Sequence, residues 1–149
     1  MTNATTQHLA TSAGIRWGRV VIGAVLLEAL LIVAAIPLLG FVANPLVPGA
    51  ENASGDYTIF FASVAVACFF AGGLLGWWVA RPLTSQFALH GALTGIVATV
   101  IYLGICSIPP TTIAAVLAAY GPFWFFLANG LRIIGATLGA ASQARRRLS

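Results

Sequence analysis

Four long apolar runs, separated by short polar or proline-rich breaks, make up most of the chain. Val20–Val42, Thr58–Ala80, Phe87–Ser107 and Thr112 to about Ala140 each reach the roughly 20 predominantly apolar residues that a helix needs to cross a bilayer. The runs lack the alternating polarity of barrel strands, and in lipid only helices or closed barrels satisfy the backbone. The pattern therefore predicts an all-α integral membrane protein, with four transmembrane helices in an antiparallel up-down bundle. A single domain covers residues 1–149, preceded by a polar tail over residues 1–15. The first run is longer than the apolar core of a signal peptide, so it reads as an uncleaved span.

The breaks decide which helices are neighbours. The Arg81–Gln86 and Ile108–Thr111 links are only a few residues long, which sets their flanking helices side by side and antiparallel. Thr84 or Ser85 suits the N-cap of the third helix. Pro37 and Tyr120-Gly121-Pro122 predict kinks in the first and fourth helices.

Charge adds an orientation. The net charge of +4 arises from seven arginines and no lysine. Arg16 and Arg19 precede the first span, Arg81 follows the second, and Arg145, Arg146 and Arg147 follow the fourth, while the first and third connections carry no basic residue. By the positive-inside rule both termini are cytoplasmic, and the loop Ala43–Asp56, with Glu51 and Asp56, is external. Trp17, Trp77 and Trp78 fit the inner aromatic belt, and Tyr57, Phe60 and Phe61 the outer one. Six of the seven arginines lie at span ends, a pattern that reads as topology and excludes nucleic acid as a partner. The lipid bilayer is the partner this pattern demands, and in a bacterium the cell (inner) membrane is the expected site.

Composition excludes a soluble enzyme. The chain is 60% hydrophobic and 7% charged, against about 25% charged for a soluble domain. Cys68 and Cys106 lie at different depths, so both are expected as free thiols. Neither has a neighbouring Cys/His set, so no metal or other cofactor is expected.

Gly72 and Gly76, Gly91 and Gly95, and Gly135 and Gly139 repeat the small-xxx-small spacing that lets membrane helices approach closely. All six fall in the cytoplasmic half, where the bundle should be pinched. The stripes pack one chain, or one of them forms an interface in a homo-oligomer or with another membrane protein. Sequence alone leaves both open.

The most informative position is Glu28, a carboxylate inside the first apolar run. A charge near mid-membrane costs at least about 2.5 kcal/mol and calls for a partner, a cavity or an ion. Arg132 is the obvious partner. At 1.5 Å per residue, Glu28 lies roughly 12 Å and Arg132 roughly 13 Å inside the cytoplasmic ends of their spans. Thr94 reaches a similar level, and Asn129 lies one turn from Arg132 on the same face. Glu28, Arg132, Asn129 and Thr94 thus form a candidate intramembrane polar site. A second placement stays open: Thr112–Leu131 is itself long enough to span, which would leave Arg132 snorkelling at the inner headgroups. His90, near the inner start of the third helix, reads either as a solvated interfacial residue or as a proton relay.

Two functions compete. In the first, a structural or accessory membrane subunit, Glu28 and Arg132 lock the bundle or bind a partner's span. In the second, a small oligomeric proton-coupled transporter or channel, Glu28 binds a proton or a cation. The stretch Gly23 to Glu28, an acidic residue on the first of four short helices, resembles the small multidrug resistance family, whose members couple protons to cation export. The longer chain, the extended external loop and Arg132 depart from that family, and no membership is read. An enzyme is not expected, because no Ser/His or paired-carboxylate constellation appears at one depth in these helices, and the spacing of five between Ser85 and His90 sets them on different sides of a helix.

Overall fold

A computed structural model describes residues 14–42, 58–108, 114, 117 and 121–146, the side chains of 35–42, 58 and 59 excepted. The described chain is helical, with four helices long and apolar enough to cross a membrane. They are α1 (Trp17–Val42), α2 (Thr58–Ala80), α3 (Phe87–Cys106) and α4 (Pro122–Arg146). The external loop with Glu51, Asp56 and Tyr57, the Pro109-Pro110 turn, Tyr120 and Arg147 lie outside the described residues.

The directions of the helices follow from what each glycine meets. Gly135 lies on the backbone of Phe69 and Gly139 on that of Gly73, so numbers rise together and α2 runs parallel to α4. Gly91 faces Ala136 and Ala140 while Gly95 faces Ile133, so α3 and α4 are antiparallel. Along α1, Arg19 meets Trp78 and Leu31 packs against the cluster that holds Ala65 and Cys68, which makes α1 antiparallel to α2. The start of α1 and the end of α4 therefore share one end of the bundle, together with Arg81. The packing is most extensive between α2 and α4, then between α3 and α4, and α1 rests on α2 and α3 without an extended interface to α4. In cross-section the bundle is a diamond, with α1 and α4 at its far corners.

Helical periodicity accounts for each interior face. On α1 the buried positions are Val20, Gly23, Ala24, Leu27 and Glu28, a narrow stripe at spacings of three and four. Ile22, Val25, Leu26 and Val33 on the opposite side are exposed. That much bare apolar surface suits lipid and not water.

The glycine stripes are used inside the chain and converge on α4. A Cβ on Gly76 or on Gly91 would run into the carbonyl of Ala136. One on Gly72 would lie 2.5 Å from the Arg132 carbonyl oxygen, and one on Gly95 2.7 Å from Ile133 Cα. Gly14 and Gly18 have open space around them.

Two local expectations are corrected. The N-cap of α3 is Gln86, left-handed at φ 55° and without a side-chain cap, rather than Thr84 or Ser85. Leu83 draws the link inward by packing with Ala80, Ala140 and Phe87, and Thr84 and Ser85 stay on the exposed side of the turn. The fourth helix is broken, not kinked, at Gly121. Its φ of 73° cannot continue an α-helix, its N–H donates to Leu117 O at 2.9 Å, and Pro122 opens α4 at the first helical position, where its missing N–H costs nothing. Among the described residues the fourth membrane-length helix is Pro122–Arg146; most of residues 112–120 lie outside them. α1 is assigned helical throughout, Pro37 included.

Candidate functional site

The start of α4 decides where Arg132 sits. Ten residues past Pro122, it lies about 15 Å along the helix, near its middle. It also falls on the buried stripe of α4 with Phe125, Ala128, Asn129, Gly135 and Ala136, so its side chain enters the bundle.

There Arg132 Nη1 donates to Glu28 Oε1 at 2.5 Å. Both side chains are deeply buried, at 4% and 5% exposure. Taking two charges out of water costs several kcal/mol per ion, and only close, hydrogen-bonded pairing offsets that. The pair spans the long diagonal of the diamond. Glu28 is the only carboxylate among the described residues, so no other acid there competes for the guanidinium.

The remaining helices complete the layer with groups that the sequence did not single out. Arg132 Nη2 approaches the Cys68 sulfur on α2 at 3.8 Å, and the guanidinium carbon lies 5.3 Å from the centre of the Tyr102 ring on α3. The ring's negative face suits a cation. A signal for Cys68 was present, since it precedes Gly72 by one helical turn on the face that meets Arg132. Tyr102 carried none, because its level depends on how far α3 slides along α4.

The other expected members are buried near this layer without joining it. The Thr94 hydroxyl donates to His90 O at 2.8 Å, and Asn129 Nδ2 donates to Phe125 O at 2.9 Å. Each is satisfied one turn back on its own helix, as short polar side chains often are. Asn129 Oδ1 and Arg132 Nε have no hydrogen-bond partner among the described residues.

His90 is not a solvated interfacial residue: it is 1% exposed. Its Nδ1 lies 2.9 Å from Gln86 O, and its Nε2 accepts the backbone N–H of Arg16 at 3.1 Å. A neutral imidazole with its proton on Nδ1 satisfies both contacts. Arg16 is the residue before α1, so His90 ties the start of α1 to the start of α3. It stands about 18 Å along α1 from the level of Glu28. Further ties lie at the same end: Arg19 Nη2 donates to Trp78 O at 3.1 Å with its guanidinium 4.7 Å over the Trp78 ring, and Arg81 lies 4.4 Å over the ring of Trp77. Cys68 and Cys106 are free and buried. Among the described residues no three metal-ligating side chains gather.

The molecule these observations define is a four-helix membrane bundle, with a single ion pair joining its two most distant helices among the described residues. Comparison with protein-family models, curated proteins and solved structures gives no match, so the reading of the site rests on its own geometry.

Proposed function

We propose that this protein is a structural or accessory membrane subunit, not an enzyme, inserted with both termini in the cytoplasm. The observation that carries the reading is the closure of Glu28 on Arg132. Each charge is answered by the other in a buried layer, and the nearest additional contacts to Arg132 are a thiol and an aromatic ring. Buried polar pairs of this kind can specify which packing is adopted more than how stable it is. Here the pair fixes the middle of α1, whose start is tied through Arg16 and Arg19, and so presents one defined outer face to lipid or to a partner's span. The arginine-rich end supports the cytoplasmic placement of the termini, with the cell membrane as the site in a bacterium.

The competing transporter reading requires Glu28 to exchange protons or cations. Reconstitution into liposomes under an imposed pH gradient and membrane potential separates the two. The structural reading expects equal proton entry for the wild type and a folded Glu28→Gln variant. Entry that disappears in Glu28→Gln overturns it in favour of coupling.

A further inference from the structure

Two buried polar atoms stand outside the hydrogen bonds of the polar layer: the donor Arg132 Nε and the acceptor Asn129 Oδ1. Both residues are more than nine-tenths buried. They lie three positions apart on α4, on one face. Helical side chains lean toward the helix N-terminus, which carries the guanidinium stem of Arg132 back over the turn that holds Asn129. The neighbours agree with that placement. Tyr102 touches the guanidinium and its ring centre lies 6.1 Å from that of Phe125, the residue whose carbonyl holds the Asn129 amide.

Neither orphan can turn away. The guanidinium is fixed by Glu28 through Nη1 and by Cys68 at Nη2. The amide is fixed because rotating it would set Oδ1 against the Phe125 carbonyl oxygen, leaving two acceptors face to face. A buried donor and a buried acceptor left dry are both costly. One molecule that accepts from the first and donates to the second answers both.

We propose that a single water molecule is bound in this layer, accepting the Nε–H of Arg132 and donating to Oδ1 of Asn129. Water has the required acceptor and donor in the smallest volume, and buried waters characteristically bridge polar groups that lack protein partners. A larger hydroxyl-bearing ligand is disfavoured by the backbones. Gly72 and Gly95 hold α4 against α2 and α3 at Arg132 and Ile133, which bracket this turn from its C-terminal side. The layer is then a hydrated cluster. Water solvates the edge of the Arg132 guanidinium that Glu28 does not reach, so the charge is stabilised on two sides. This inference is independent of whether the pair is structural or couples transport.

The test is proton-detected NMR of the full chain in bilayers, with the Arg132 Nε–H assigned through its own side-chain carbons. The bound water predicts a cross-peak between that proton and water. In Asn129→Leu the cross-peak should be lost while the Nη1 protons facing Glu28 keep their shifts, which reports an intact pair. If Asn129→Leu does not fold, Asn129→Ser serves, its shorter acceptor shifting the Nε–H resonance while the water contact persists. Absence of the water cross-peak in the wild type, whether from a dry site or from a direct bond between Nε–H and Asn129 Oδ1, overturns the proposal. So does an unchanged cross-peak in folded Asn129→Leu.

Discussion

Glu28 and Arg132 bond across the long diagonal of the bundle, Nη1 to Oε1 at 2.5 Å, although their helices share no extended interface. Apolar contacts between α1 and its neighbours are nearly indifferent to a small slide or rotation. A hydrogen-bonded charge pair is not, so this contact positions the middle of α1, as the Arg16 and Arg19 ties position its start.

Removing half of the pair should therefore harm the protein far more than removing all of it. Glu28→Leu leaves the Arg132 charge buried without its anion, and Arg132→Met does the reverse; each should cost about 3–5 kcal/mol. The double variant Glu28→Leu/Arg132→Met should recover most of that loss, because neither charge then has to be dehydrated. Reversible unfolding in bicelles, run as a double-mutant cycle, measures the coupling. Simple additivity of the two single effects would show that the pair does not hold the bundle together.

The glycines offer a test of opposite signs. Gly76→Ala and Gly91→Ala each push a methyl into the carbonyl of Ala136. With α4 wedged between α2 and α3 there is no easy retreat, and a loss of about 1–3 kcal/mol is expected, as for overpacking in general. A methyl added to Gly104 on α3 would meet nothing within 4 Å, so Gly104→Ala should be neutral or gain up to about 1 kcal/mol from reduced backbone freedom in the unfolded chain. Thermal unfolding of the three variants in one detergent gives the comparison. Equal effects at Gly76 and Gly104 would mean that the close approach on α4 is not formed.

The four apolar runs were legible in the sequence, because span length is a strong, local signal; the cost of a buried charge made Arg132 the candidate partner of Glu28 but left its snorkelling placement open. The start of α4 was not legible. Thr112 to Ala140 is apolar almost throughout, and nothing in hydropathy distinguishes a proline kink from a break; only the positive φ of Gly121 does. The company kept by Arg132 was also hidden. Asn129 and Thr94 lie at suitable depths, yet their own helices offered carbonyls closer than any neighbouring side chain. The burial of His90 was hidden for a related reason: its position near a helix end suggested water, whereas the parallel packing of α1 on α3 brings the Arg16 N–H onto its ring.

That tie makes His90 a residue of assembly. His90→Ala removes the acceptor of the Arg16 N–H and the donor to Gln86 O, and empties a site that is closed to solvent. Leaving a buried donor or acceptor unpaired costs about 1–3 kcal/mol, and a loss toward the upper end is expected. The local signature is more telling than the total. Amide hydrogen exchange at Arg16 should be slow in the wild type and fast in His90→Ala, with Glu28 and its neighbours in mid-helix little changed. Fast exchange at Arg16 in the wild type would remove the tie.

The orientation of the bundle can be read from labelling, because the natural thiols are both buried and leave a quiet background. Arg16, Arg19, Arg81, Arg145 and Arg146 gather at one end, and two of them lie over the rings of Trp78 and Trp77. Tryptophan is common at both membrane interfaces, and it is the unequal sharing of basic residues that makes this end the expected cytoplasmic one. A membrane-impermeant maleimide applied to intact cells should therefore modify Ser54→Cys, in the connection after α1, and spare Thr84→Cys, which sits exposed in the link between α2 and α3. Opening the cells should make Thr84→Cys reactive. The converse pattern would place the arginine end outside and reverse the assignment of both termini, while leaving the Glu28 and Arg132 pair, which lies between the two faces, untouched.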